Sequence, residues 1–148
     1  MQKIVYSLIM MTLVFSFSCC KSSKEAKNSN NMPLIGPQWM LVSIENEDIN
    51  NEYALHPFIT FDTNGAISGC LGCNSFFGDY QLLRKQKISI EYKGATKRLC
   101  DKMSVEKQFL NALKMDINHY QITGDQLVLL ADKVEVMKFK GVNLEKVE

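Results

Sequence analysis

The hydrophobic positions from residue 38 onward fall in short runs separated by polar or glycine-containing segments, a pattern typical of β-strands. The segment Asp62-Thr-Asn64-Gly65 is a turn signal, because Asn and Gly tolerate a positive φ. The runs on either side of it should therefore pair as a hairpin. In all, the pattern predicts five strands before any helix: Gln38–Ile44, Phe58–Phe61, residues 66–70, Phe76–Leu83 and Lys87–Tyr92.

The spacing changes between Lys102 and Asp116, where it predicts one amphipathic helix. The apolar face comprises Val105, Phe109, Ala112 and Leu113, and the polar face comprises Glu106, Lys107, Asn111 and Lys114. Asp101 or Ser104 is expected to cap the start of this helix by accepting hydrogen bonds from its free backbone N–H groups.

Three more strands are predicted after the helix: Tyr120–Thr123, Gln126–Ala131 and Glu135–Lys140. Gly124-Asp125 is the hairpin turn between the first two of them. The predicted fold class is therefore α+β and mainly antiparallel β, with a sheet of about eight strands and one helix.

The N-terminal segment has the pattern of a signal peptide. Lys3 is followed by an uncharged, largely apolar run from Ile4 to Phe17, which is shorter than the roughly 20 residues that a membrane-spanning helix needs. Ser18 before Cys19 resembles the lipobox of bacterial lipoproteins, in which cleavage precedes a cysteine that becomes acylated. We therefore expect residues 1–18 to be a lipoprotein signal peptide and Cys19 to be lipidated, with Cys20 as the alternative.

The residues after this cysteine predict a tether and a membrane-anchored location. Lys21 to Asn31 contains no large apolar residue, so we expect residues 19–36 to form an acylated, flexible tether and residues 37–148 to form the domain. No acidic run follows the cysteine pair. This favours a lipid-anchored protein of the cell envelope, on the outer membrane and facing the periplasm.

Composition narrows the class of protein. The 148 residues are 46% hydrophobic and 22% charged, which fits one globular domain. Lys plus Arg total 17 and Asp plus Glu total 16, a net charge of +1, which argues against a broad electrostatic surface for nucleic acid. We expect a monomer whose partners are the membrane, through the lipid anchor, and a protein client or an apolar ligand.

An ordered set of motifs resembles the META domain family, which includes HslJ-like bacterial lipoproteins. The most specific part is a Gly-Cys-Asn-x-Phe-x-Gly-x-Tyr stretch followed by Thr-x-x-x-Cys and an amphipathic helix. The matching segments are Trp39-x-Leu41, Phe58-x-x-Phe61, Gly65-x-x-x-Gly69, Gly72-Cys-Asn-Ser-Phe-Phe-Gly-Asp-Tyr80, Thr96-x-x-x-Cys100, Glu106-x-x-Phe109 and Tyr120-x-Ile-x-Gly-Asp-x-Leu127. This chain departs from the family at Cys70, where members usually carry a small residue without a thiol.

The resemblance implies an open, or cracked, antiparallel β-barrel with a helix at its mouth, similar in outline to the pilotins of type III secretion. It also implies a disulfide between Cys73 and Cys100, since both match the family pattern, with Cys70 as a competitor for either partner. Family members are associated with tolerance of heat and antibiotics in the envelope, and the resemblance implies no common enzymatic activity.

The remaining candidate chemistry is weak. Cys70-Leu-Gly-Cys73 could form a redox dithiol, but the residues that follow look like a turn and a strand, whereas such a thiolate needs a helix N-terminus. The three cysteines with His56 or His119 have zinc-ligand types, but no second metal-binding pair is present. We therefore predict no catalytic, cofactor or metal site and no enzyme.

The expected function is that of a non-enzymatic, lipid-anchored binding module in envelope stress tolerance. One alternative is a pilotin-like carrier of an apolar ligand or a secretion component, which would need a cavity or groove. The other alternative is a thiol redox protein that uses Cys70 and Cys73.

Overall fold

The computed structural model describes residues 30–50, 53–101 and 103–143. Within these ranges the chain forms nine strands and one helix. The strands are β1 (Gln38–Ile44), β2 (Glu47–Asp48), β3 (Phe58–Phe61), β4 (Ala66–Cys70), β5 (Ser75–Leu82), β6 (Ile88–Ala95), β7 (His119–Thr123), β8 (Gln126–Ala131) and β9 (Val134–Val142), and the helix is α1 (Ser104–Leu113). Among the residues described, no helix is long and apolar enough to cross a membrane.

The strands form one antiparallel sheet that curls into an open barrel. Their order is β6-β5-β4-β3-β1-β9-β8-β7, and β2 pairs with β1 outside this path. The two ends of the sheet meet at a bridge between Lys87 and His119 and through a hydrogen bond of 3.1 Å from Ile88 N to Asn118 O. The predicted fold class, a cracked barrel of about eight main strands with one helix, is confirmed.

Bulges and close backbone contacts allow the sheet to curl. The pairing register shifts between Phe77 and Gly78 where β5 meets β6, and two further irregularities interrupt β1 and β8. A Cβ atom at Gly69 would collide with the carbonyl oxygen of Phe58, and one at Gly78 with that of Glu91. These glycines are thus required for close approach between strands.

Large side chains fill the interior of the barrel. Trp39, Phe76, Phe109 and Phe139 are fully buried, and the ring of Phe109 on α1 contacts the rings of Phe76 and Phe139 at centroid distances of 5.7 and 5.9 Å. The helix therefore closes the mouth of the barrel by inserting its apolar face into the core. Within the described part of the chain this packing leaves little support for a carrier that encloses an apolar ligand.

The predicted helix is longer than the observed one and its cap is different. We predicted Lys102 to Asp116 with Asp101 or Ser104 as cap, but α1 begins at Ser104, and the cap position is Met103, which makes no side-chain capping hydrogen bond. The predicted apolar face is buried, because packing against the core, rather than the cap, selects the helical segment.

Several local predictions are also corrected. Strand β2 was missed because its residues are polar and exposed, and because the turn before it depends on a positive φ at Glu45 and Asn46. Phe77 lies in the strand predicted from Phe76 to Leu83, and its aromatic side chain would be expected in the core. It is instead 57% exposed on the outer face of β5, since side chains alternate across a strand and its neighbour Phe76 points inward.

The domain also extends further toward the N-terminus than the boundary at residue 37 predicts. Met32 N donates a hydrogen bond of 2.8 Å to Gly124 O, and the Asn31 side chain accepts one of 2.7 Å from Gly124 N. Leu34 is buried and its carbonyl accepts a hydrogen bond of 2.8 Å from Trp39 Nε1. Residues 31–36, predicted as tether, therefore pack on the barrel because they carry apolar side chains that the preceding segment lacks.

Candidate binding groove

An open groove of about 270 Å³ lies between the end of β6, the loop that follows it and α1. We call it the β6–α1 groove. Its apolar lining is provided by Leu71, Tyr92, Ala95, Leu99, Met103 and Leu110. The charged residues of the lining are Lys97, Arg98 and Glu106. Because the barrel interior is filled, this groove is the best candidate for a functional site among the described residues.

Asn74 fixes the floor of the groove. Its side chain is buried, and Oδ1 accepts hydrogen bonds of 2.8 Å from Thr96 Oγ1 and 2.7 Å from Arg98 N. Its Nδ2 donates to Arg98 O at 3.0 Å and to Glu106 Oε1 at 2.8 Å. One amide side chain therefore joins the β4–β5 connection, the loop after β6 and the helix.

Glu106 is the helical partner of this network. Its carboxylate is buried and accepts a second hydrogen bond of 2.9 Å, from Asn74 N to Oε2. We predicted Glu106 on the solvated face of the helix, and this is wrong. The physical reason is that a buried carboxylate is tolerated when donors satisfy it, and Asn74 provides two N–H groups from its backbone and side chain.

A disulfide holds the same loop covalently. Cys73 is bonded to Cys100, with their Cα atoms 6.4 Å apart and 27 residues apart in sequence. This is the pairing that the family resemblance implied. Arg98 adds a hydrogen bond of 2.7 Å from its guanidinium group to Cys73 O. The loop from residue 96 to residue 100 is thus attached to the barrel at several points.

This restrained loop holds a leucine out in solvent. The side chain of Leu99 is 96% exposed, although its neighbours in sequence are anchored by hydrogen bonds and by the disulfide. Tyr53 and Ala54 lie beside Leu99 in a second, shallower depression that adjoins Cys100. Leu99 therefore offers a partner an exposed apolar side chain on a backbone that is already restrained.

The redox dithiol and the zinc site that these residue types could form do not assemble among the described residues. Cys73 is bonded to Cys100 instead of facing Cys70, which is a buried free thiol whose sulfur accepts a hydrogen bond of 3.4 Å from Gly72 N. Across residues 30–50, 53–101 and 103–143, no three His, Cys, Asp or Glu side chains are placed to hold a metal ion. His56 instead shares a hydrogen bond of 2.6 Å with the Tyr53 hydroxyl.

The sequence analysis missed two features of the groove: the stripe of α1 that borders it and the exposure of Leu99. Only the first had a signal in the sequence. Met103, Glu106 and Leu110 recur at helical spacing and form a stripe beside the core-facing one, which marks the side of α1 that borders the groove. The exposure of Leu99 had no such signal, because it depends on how the loop is held. The predicted lipidation sites Cys19 and Cys20 lie outside the described residues.

A polar cleft of about 320 Å³ lies elsewhere, between β2 and α1. Its lining includes Glu45 from the β1–β2 turn, Glu47 and Asp48 from β2, and Gln108 and Asn111 from the helix. It shares no lining residue with the β6–α1 groove, so ligand binding at the two places can be distinguished experimentally.

The chain matches a known domain family, and its fold is similar to that of solved structures. A family model described as the META domain matches residues 32–143. An NMR structure of a protein from Burkholderia xenovorans is 23% identical, with a TM-score of 0.57 over 75% of this chain and 85% of that one. A crystal structure of a DUF4847 family protein from Bacteroides vulgatus is 17% identical, with a TM-score of 0.55 over 76% of this chain and 96% of that one.

At these identities the two structures show the fold alone, and no curated protein matches the chain. The family match is of a different kind, because it spans nearly the whole domain, including the Asn74 network and both bridged cysteines. The chain therefore belongs to the META domain family.

Proposed function

We propose that this protein is a non-enzymatic, lipid-anchored binding module of the cell envelope that holds unfolded or extended polypeptide at the β6–α1 groove. The observation that carries the proposal is the 96% exposure of Leu99 on a loop restrained by Asn74 and by the disulfide. An apolar side chain on a restrained backbone loses less entropy on association than one on a flexible loop, so more of its burial contributes to affinity.

The position of the N-terminal segment supports this assignment. Strand β6 runs from Lys87 toward the groove, and β7 runs antiparallel to it from His119 toward the turn at Gly124. The groove and this turn therefore lie at opposite ends of the barrel. Because Asn31 is bonded at the turn, the tether to a lipid at Cys19 would leave the barrel at the end opposite the groove.

Binding of unfolded chains is an activity that would serve a role in envelope stress tolerance. On the outer membrane, facing the periplasm, the groove would meet proteins that have lost their structure during stress. The proposal needs no cofactor and no reactive group, and it uses the apolar lining and the exposed leucine as they stand.

The test compares two leucine variants in binding to a reduced, carboxymethylated model protein that cannot fold. Leu99→Ser removes the exposed anchor, and we expect about tenfold weaker binding by fluorescence anisotropy. Leu83→Ser is the matched control. Leu83 is also an exposed leucine, at 55%, but it lies in the turn after β5, at the end of that strand away from the groove. Equal loss in both variants, or none in either, would refute the proposal.

A further inference from the structure

Among the described residues, strand β6 is an edge of the sheet whose backbone is mostly unpaired on one side. It is the first strand in the sheet order, bonded along one side to β5. In the described residues, its other side is held near its start, through the Lys87–His119 bridge and the hydrogen bond from Ile88 N to Asn118 O. An open strand edge is a template for pairing with another chain.

Strand geometry identifies which backbone groups are open. Backbone N–H and C=O groups point alternately to the two sides of a strand, and those of Ile88 point away from β5. The register with β5 is regular from Ile88 to Tyr92, so the groups of Ile90 and Tyr92 also point away from β5. The pairing irregularity comes only after Tyr92, opposite Phe77 and Gly78.

The open edge borders the β6–α1 groove. Tyr92 and Ala95 belong both to β6 and to the groove lining, and Leu110 of α1 forms the opposite wall. A strand added beside β6 would therefore direct every second side chain toward apolar surface. We infer that the β6–α1 groove binds an extended peptide by strand addition to β6, which deepens and rests on the proposed function.

The charges beside the groove favour a peptide with acidic residues. Lys97 and Arg98 in the lining are exposed, whereas the one carboxylate of the lining, Glu106, is buried and bonded to Asn74. Lys114 lies over the Tyr92 ring, 5.5 Å from its centroid. Complementary charge of this kind selects among partners that offer the same apolar residues.

The experiment uses a short synthetic peptide that alternates valine with glutamate, and it monitors amide hydrogen exchange of the protein by NMR. In the free protein the Ile90 and Tyr92 amides should exchange rapidly, and the peptide should protect them. The amides of Ser89 and Glu91, which point toward β5, are the internal control and should be protected with and without peptide. The same peptide with every backbone amide N-methylated should bind about tenfold or more weakly, and a lysine-valine peptide should also bind more weakly.

The outcomes separate this inference from the proposed function. Strand addition would be overturned if the N-methylated and the unmodified valine–glutamate peptides bound with equal affinity, or if the peptide bound without protecting the Ile90 and Tyr92 amides. Neither result would affect the Leu99-dependent binding of unfolded protein. Protection caused by dimer formation of the protein alone, seen by light scattering, would also overturn this inference, since the occupant would then be a second copy. If Leu99→Ser bound the unfolded protein as tightly as the wild type does, the proposed function itself would be overturned.

Discussion

Asn74 is the residue on which the geometry of the groove most depends. Asn74→Ala leaves the N–H of Arg98 without its acceptor and removes one of two donors to the buried Glu106 carboxylate. We expect the free energy of unfolding to fall by about 2–4 kcal/mol in denaturant titration, because buried polar groups lose their partners.

The matched control is Asn118→Ala. Asn118 also uses both side-chain atoms: it bonds the backbone and side chain of Asp132 at exposed positions and shares a hydrogen bond of 2.8 Å with His119 Nδ1, but its side chain is only half-buried. Its loss should cost about 1 kcal/mol or less, since water replaces the partners. Equal costs for the two variants would contradict the central role of Asn74.

Tyr80 gives the domain a predicted sensitivity to alkaline pH. Burial, followed by the charges of Asp62 and Tyr120, raises its pKa above the ordinary value of 10.0, and its hydroxyl donates a hydrogen bond of 2.7 Å to Asp62 O. A raised pKa means that the neutral form stabilises the folded state below pH 10 and that this stability is lost as pH rises through the folded-state pKa.

Tyr80→Phe tests this prediction. It should lose about 1 kcal/mol at neutral pH through the missing hydrogen bond. Its unfolding midpoint should also decline less steeply above pH 10 than that of the wild type. Parallel pH profiles for the two proteins would show that Tyr80 titrates as in the unfolded chain.

At the residue scale, the sequence predicted which side chains fill the core better than which polar ones are buried. Val105 and Phe109 were placed correctly, because helical periodicity reports burial of apolar residues. Glu106 was not, because its burial depends on Asn74, a residue 32 positions away in sequence. The exposure of Leu99 likewise follows from tertiary restraint and has no local signal.

At the scale of elements, the disulfide and the loop it closes carry the next prediction. Reduction should lower the free energy of unfolding by about 3 kcal/mol in the chain-entropy treatment of a 27-residue separation, measured with and without reductant. We expect the barrel to remain folded and the affinity for the unfolded model protein to fall, because Leu99 is then less restrained.

Cys70→Ala provides the control for this measurement. Cys70 is buried and outside the bridge, so the variant should keep the same dependence on reductant as the wild type. A variant that no longer responded to reductant would show that the bridge in solution involves Cys70.

Elements set by local chemistry were the most predictable. The hairpins at Gly65 and Gly124 were identified from their turn residues, and both glycines have a positive φ. The β1–β2 turn was missed because Glu45 and Asn46 adopt a positive φ without a glycine. The helix start was misplaced because contacts with the barrel, and no side-chain cap, determine it.

At the scale of the whole molecule, the sequence and the family resemblance predicted the curled sheet and the helix at its mouth, but the sequence did not locate the groove. The groove exists because the sheet closes near Lys87 and His119 and opens toward the end of β6, a consequence of how strands far apart in sequence meet. The same topology places Asn31 and Met32 at the end of the barrel opposite the groove.

The most direct test of the account is an NMR titration of the isotopically labelled protein with the reduced, carboxymethylated model protein. We predict that the signals that shift cluster at Tyr92, Ala95, Leu99 and Leu110, around the β6–α1 groove. Shifts confined to the polar cleft at Glu47 and Gln108, or no shifts at all, would contradict the claim that this groove is the binding site.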